Sequence, residues 1–175
     1  MPDNVGAGRM ATRHLLDLGR EKLALISGDP GYAATTDRHT GIREVLDEAG
    51  KELVAPVRAG EWSEAWGRRA VRDLLASGAD FDGLICGSDQ IARGALDSLA
   101  RAGVAVPEHV AVVSHDNWEV LATECTPQLT TVDMRFRTLG QSASQALLRL
   151  MNGEKETGVV TLPCSLVVRE STLGS

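Results

Sequence analysis

Short apolar runs alternate with amphipathic stretches along the chain. Leu23-Ala24-Leu25-Ile26, Leu84-Ile85-Cys86 and Val110-Ala111-Val112-Val113 are each flanked by polar or glycine-rich positions. Such runs predict short strands over 22–27, 83–86 and 110–114, with another around 54–59. Between them the apolar residues recur at helical spacing. Residues 5–18 place Met10, Ala11, Leu15 and Leu18 along one helix, with Asp3 or Asn4 to cap its start and Gly19 to stop it. A second helix covers 36–49 and ends at Gly50, and a third runs from a Ser63 cap to Ser77. A fourth, capped by Ser88 or Asp89, reaches Ala102. Beyond Val132 the spacing predicts a long helix over 135–152, with Phe136, Leu139, Ala143, Leu147 and Leu150 on one face. Gly153 ends it, and a closing strand covers about 161–169.

Strands that read as continuous apolar runs are those buried on both faces, which is the environment of a parallel sheet covered by helices. The expected fold class is α/β: a three-layer α/β/α sandwich around a parallel, doubly wound sheet with right-handed crossovers. In such sheets ligands bind outside the carboxyl ends of the strands. That rule directs attention to the loops 28–36, 60–63, 87–90 and 114–118.

Composition narrows the function. The 175 residues are 43% apolar and 24% charged, as in ordinary globular proteins. That length suits one domain, or one domain and part of another. The longest apolar runs fall far short of the ~20 residues of a membrane span, and the opening residues do not have the pattern of a secretory signal. No membrane partner is expected. A net charge of −6, with no basic cluster beyond Arg68-Arg69, argues against the chain gripping nucleic acid by itself. Cys86, Cys125 and Cys164 are odd in number and far apart. They form neither a disulfide framework nor a zinc pattern and read as small packing residues, which fits a cytoplasmic protein. Neither a metal nor a cofactor is expected.

The loops contain few candidates for catalysis. Gly28-Asp29-Pro30-Gly31 has neither the lysine of a phosphate loop nor the glycine spacing of a dinucleotide site, so a turn is the better reading. Gly87-Ser88-Asp89 lies where a hydrolase nucleophile would stand, but Cys86 and Gln90 occupy the positions where the strained elbow needs glycine. Ser88 and Asp89 remain as helix caps or ligand contacts. Ser114-His115-Asp116 holds the residue types of a triad, yet neighbours on a strand point to opposite faces. Asp116, at the strand end, can accept hydrogen bonds from hydroxyls or cap the next turn. Arg38 lies early in its helix on the ligand side, where a planar guanidinium suits hydroxyl recognition or a surface ion pair. Aromatics are only 3% of the chain, and Trp62 lies in a ligand-side loop where its face suits stacking on a ring. Trp66 reads as core.

Taken in order, several segments resemble the LacI/GalR family of bacterial transcriptional regulators. They are His14-Leu15-Leu16-Asp17-Leu18-Gly19, Arg38-His39-Thr40-Gly41, Ser88-Asp89-Gln90-Ile91-Ala92-Arg93-Gly94-Ala95, Gly103-Val104-Ala105-Val106-Pro107, Asp116-Asn117, Leu129-Thr130-Thr131-Val132 and Leu166-Val167-Val168-Arg169-Glu170-Ser171-Thr172. The resemblance implies a periplasmic-binding-protein-like core that is not an enzyme and holds an effector between two subdomains. Residues 1–132 would be the C-terminal effector-binding subdomain. Residues 133–160 would belong with a largely missing N-terminal subdomain, and 161–175 would be a return strand and tail. Arg38, Trp62, Ser88, Asp89 and Asp116 match effector-contacting positions, and His115 is a further candidate. A polyhydroxylated, sugar-like effector suits this set. The resemblance also implies a homodimer built on 93–101 and 121–132, and operator DNA bound only through a helix-turn-helix that this chain does not contain. An extracytoplasmic sugar-binding protein of the same fold is the alternative.

Overall fold

The computed structural model describes residues 1–155 and 158–173. In chain order the elements are α1 (Asn4–Asp17), β1 (Leu23–Ser27), α2 (Ala33–Glu48), β2 (Arg58–Ala59), α3 (Glu64–Ala76), β3 (Gly83–Cys86) and α4 (Asp89–Arg101). They continue with β4 (Ala111–Asp116), α5 (Glu119–Ala122), β5 (Thr130–Asp133), α6 (Phe136–Met151), β6 (Ser165–Val167) and α7 (Glu170–Leu173). The strands form one six-stranded sheet in the order β2-β1-β3-β4-β5-β6. All neighbours are parallel except β5 and β6, which pair antiparallel.

The period-2 pleat of the strands divides the core. Leu23 and Leu25 of β1 face the layer formed by α1 and α2, where they meet Ala7, Leu15, Ile42 and Leu46. Ala24 and Ile26 face the layer of α3 and α4 and meet Val71, Leu74, Ile91 and Leu99. This is the expected α/β/α sandwich. The caps follow the sequence signals. Asp3 accepts from the Gly6 N–H, Ser63 from Trp66 and Ser88 from Ile91. The three cysteines are free thiols, two of them buried.

Each helical layer is drawn together by reciprocal glycines. A Cβ on Gly8 would lie 2.1 Å from the Arg38 carbonyl oxygen, and one on Gly41 would lie 2.0 Å from that of Val5. On the opposite face, Gly67 meets the Ile91 carbonyl and Gly94 that of Glu64 in the same way. The helix backbones of each pair touch directly at these points.

Four departures from the sequence pattern have physical causes. β2 is two residues long rather than the expected 54–59, because Pro56 offers no N–H to a ladder and Val54 and Val57 remain exposed at the sheet edge. β5 is an interior strand although its sequence, Thr-Thr-Val-Asp, is largely polar. Its threonine hydroxyls bond Asp89, Thr172 and the Arg169 carbonyl, so they are buried with partners. The closing strand shortens to β6, flanked by Pro163. Finally, no residue of α6 is buried, and Phe136, Leu147 and Leu150 are exposed within this chain. Residues 156–157 and 174–175 of the two C-terminal segments expected from the sequence lie outside the described residues. Among the described residues no helix is long and apolar enough to cross a membrane.

Candidate functional site

The strand order reverses at β1. From β1 the chain crosses to β2 on one side and later to β3 on the other, so a crevice opens beyond the carboxyl ends of β1 and β3. Gly28, directly after β1, forms the floor on one side. A Cβ there would lie 2.3 Å from the Trp62 ring, so the absence of a side chain lets the indole lie against the backbone. Tyr32 meets Trp62 edge-on, with ring centroids 6.0 Å apart at 86°. Trp66 supports the same corner from beneath, its indole N–H donating to the Ser27 carbonyl at 2.9 Å.

Arg38 lies at the carboxyl ends of β3 and β4, only 7% exposed. Its Nε donates to Asn4 Oδ1 at 3.1 Å, Nη1 to the Gly87 carbonyl at 2.6 Å, and Nη2 approaches Asp116 Oδ1 at 3.5 Å. These bonds tie α1, the end of β3 and the end of β4 to one guanidinium. Burial pulls its pKa down from the ordinary value, and Asp116 opposes that pull.

Asp116 ends β4 with φ 110 and Asn117 follows with φ 51. A non-glycine residue at the first of these angles is strained, and the ladder bonds of β4 with the partners of Asn117 hold it there. Burial pushes the Asp116 carboxyl up to about 7, and the nearby Asp89 adds to the rise while Arg38 opposes it. The folded carboxyl therefore holds its proton to higher pH than the unfolded one does. Between the two pKa values the folded state binds more protons, so stability from this group is greatest below about pH 4 and is lost as pH rises towards 7. Urea midpoints measured from pH 4 to 8 should show this decline in the native chain and a smaller one in Asp116→Asn.

The other expected contacts have different roles. Ser88 caps α4 and is buried, with its Oγ 3.3 Å from the Ile91 N–H. Asp89 points inward. It accepts from Ser114 Oγ at 2.5 Å, Thr131 Oγ1 at 2.7 Å and the Trp118 N–H at 2.6 Å, so its carboxylate is committed to protein donors. His115 is also internal. Its Nδ1 lies 3.0 Å from the Cys86 carbonyl and must carry the proton there, since a carbonyl only accepts. Burial, reinforced by Arg38, lowers its pKa to about 3 and leaves it neutral.

Sequence reasoning missed Asn4 as a partner of Arg38, Tyr32 as the second aromatic of the corner, and Arg169, whose Nη2 donates to Asn117 Oδ1 at 2.9 Å. Only Tyr32 left a signal, as a rare aromatic in a ligand-side loop. Among the described residues no three His, Cys, Asp or Glu side chains gather as metal ligands. Within the expected interface segment 121–132, Ala122, Cys125 and residues 129–132 are buried within this chain, so the accessible part of the segment is the remaining positions of 121–128.

Residues 12–172 match the periplasmic binding protein-like domain family. The regulator CelR of Thermobifida fusca is 34% identical over 97% of this chain and 50% of its own length. The lactose operon repressor of Escherichia coli K12 is 32% identical over 94% of this chain and 45% of its own. Among solved structures, the CelR–cellobiose complex superposes with a TM-score of 0.89, covering 97% of this chain and 52% of that one. The Lac repressor bound to ONPG does so with a TM-score of 0.92 at 30% identity, covering 98% of this chain and 52% of that one. The chain belongs to the periplasmic-binding-protein-like family in the form found in LacI-type transcriptional regulators. These relatives are regulators, not enzymes, and the chain spans about half of their length.

Proposed function

We propose that this chain is the effector-binding part of a cytoplasmic LacI-type transcriptional regulator and that its effector is a sugar. The observation that carries the reading is the placement of Arg38. A buried guanidinium held by Asn4, Gly87 and Asp116 lies at the switch point of the sheet, beside an aromatic corner built on Gly28. A sugar ring presents an apolar face and a rim of vicinal hydroxyls. Trp62 supplies the stacking face, Asp116 an acceptor and Arg38 the donors. Ser88 adds a hydroxyl at the start of α4, while Asp89 and His115 support the loops from within.

Binding at one subdomain would regulate by favouring one closure state of a two-subdomain receptor, to the extent that the ligand binds the two states unequally. A homodimer through α4 and residues 121–128 would pair two DNA-reading heads, and operator contact would belong to an N-terminal domain of the full-length protein. The relatives that carry bound cellobiose or ONPG support a glycoside as the ligand class.

Calorimetric titration with a panel of mono- and disaccharides tests the reading. Trp62→Ala should weaken the best ligand by about 1–3 kcal/mol, roughly 5- to 150-fold. Binding should also tighten as Asp116 ionises near pH 7, and Asp116→Asn should flatten that dependence. Unchanged affinity in Trp62→Ala would remove the indole from the site.

A further inference from the structure

A cavity of about 340 Å³ lies between α2 and the irregular segment 51–57 that leads into β2. Small-molecule pockets span roughly 300–1,000 Å³, so this one suits a compact ligand. Its floor is apolar: Leu25, Ile42 and Leu46 belong to the buried layer beneath α2, and Leu53 packs against that layer. Its mouth is charged, with Arg43 and Asp47 on α2 and Lys51 and Glu52 just past the helix end.

The charges at the mouth are not equally available. The Lys51 ammonium lies 3.5 Å from Glu21. Arg43, Asp47 and Glu52 make no ion pair or side-chain hydrogen bond among the described residues. Arg43 and Asp47 stand one turn apart, where side chains four positions apart are neighbours, yet they do not pair. His39 also lines the cavity, and burial lowers its pKa, so its ring adds no charge at neutral pH. One free cation and two free anions therefore stand over an apolar floor. An apolar anion would meet Asp47 and Glu52 as like charges, and an apolar amine would meet Arg43 in the same way. A molecule with both charges beside an apolar body meets each with its opposite. An α-amino acid carries ammonium and carboxylate on one carbon, so adjacent turns of one helix can hold both while its side chain enters the floor.

The cavity is joined to the Trp62 corner. His39 Nε2 and Ser27 Oγ form a hydrogen bond of 2.8 Å. The Ser27 carbonyl accepts from the Trp66 indole at 2.9 Å and from the Gly60 N–H at 3.2 Å. Gly28, the next residue, is the one against which the Trp62 ring lies. His39 directly follows Arg38 on α2, and Val57 on the opposite wall directly precedes β2 and the loop to Trp62.

We propose that this cavity is a second ligand site, for an α-amino acid with an apolar side chain, and that its occupancy is transmitted through His39 and Ser27 to the Trp62 corner. The site is distinct from the crevice and does not depend on the sugar reading.

The test uses three probes with one phenyl body. They are L-phenylalanine, phenethylamine, which lacks the carboxylate, and 3-phenylpropionate, which lacks the ammonium. Saturation-transfer NMR on the full chain reads their affinities into the millimolar range. Tryptophan emission, excited where phenyl rings do not absorb, reads the corner, and near-UV circular dichroism checks folding. Phenylalanine should bind about fivefold or more tighter than either analogue, the contribution of one partly exposed charge pair. Arg43→Gln should bring phenylalanine down to the phenethylamine value without weakening phenethylamine. The double variant Asp47→Asn/Glu52→Gln should bring it down to the 3-phenylpropionate value without weakening 3-phenylpropionate. All three changed side chains stand at the mouth, outside the core. Phenylalanine should also change the tryptophan emission. Ser27→Ala, which does not line the cavity, should keep phenylalanine affinity within about twofold and lose that change.

Equal affinity for the three probes overturns the amino-acid site, as does tighter binding of either analogue. Phenylalanine affinity unchanged in both charge variants places the bound molecule elsewhere and overturns it too, and so does no binding to the folded native chain at millimolar concentration. Binding without a change in emission, or an emission change that survives Ser27→Ala, overturns the transmission to the corner.

Discussion

Gly41→Ala should lower the melting temperature by about 6–12 °C. The added Cβ would lie 2.0 Å from the Val5 carbonyl oxygen and 2.9 Å from the Arg9 nitrogen. Both are backbone atoms of a helix, so no side chain can swing away. α1 and α2 must separate by more than an ångström. That movement loosens the apolar layer in which Ala7, Ala11, Leu15, Ile42 and Leu46 pack on the sheet. Overpacking of this kind costs about 3 kcal/mol, and a domain of this size shifts by roughly 2–4 °C per kcal/mol. Gly94→Ala should behave alike, because its Cβ meets the Glu64 carbonyl at 2.0 Å in the opposite layer. Gly140→Ala is the control. It lies on exposed α6 with nothing within 4 Å of its Cβ, so the better helix propensity of alanine should raise stability slightly. Differential scanning calorimetry of the three variants separates the steric effect from any general intolerance of alanine. A Gly41→Ala midpoint within a degree or two of the native chain would show that the α1–α2 contact is not close.

Asp89→Ala should cost about 3–4 kcal/mol in chemical denaturation and weaken ligand binding together with it. The carboxylate accepts from Ser114, Thr131 and the Trp118 backbone, and it is almost completely buried. Alanine leaves the Thr131 hydroxyl and the Trp118 N–H without this acceptor, and Ser114 with only a long 3.4 Å bond to the Thr130 carbonyl, so their desolvation is no longer compensated. The same bonds join the start of α4 to the ends of β4 and β5, so the turn carrying Asp116, Asn117 and Trp118 loses its brace. Asp89→Asn keeps the size and one acceptor oxygen but turns an NH2 towards donors, and it should fall between the two. If Asp89→Ala weakened the ligand with no change in stability, Asp89 would be a direct contact instead of a support.

The expected site residues divide by what a linear reading can see. Arg38, Trp62 and Asp116 were legible because each lies just past a strand end or early in the following helix, where α/β sheets present side chains to ligands. The roles of Asp89 and His115 were not, because position in a ligand-side loop does not say which way a side chain turns. Asp89 turned inward because Ser114 and Thr131, on two adjacent strands, aim hydroxyls at one point. β5 escaped notice for the same reason. Its threonines look like loop residues until Arg169, Ser171 and Thr172 arrive from 39 to 42 positions away to bond them.

By itself the sequence determined the local elements and their layering. Apolar runs of strand length, helical spacing, serine and aspartate caps and terminating glycines are short-range properties, and each acts over a few neighbouring residues. The tertiary structure alone decided which polar groups meet across the sheet. A buried guanidinium or carboxylate is tolerated only where partners from distant segments converge on it, and that convergence is set by strand order and register, not by sequence proximity. Hence the chain's polar residues could be placed near the strand ends from sequence, but the division between those that turn inward to protein partners and those that stay at the strand ends came from the fold.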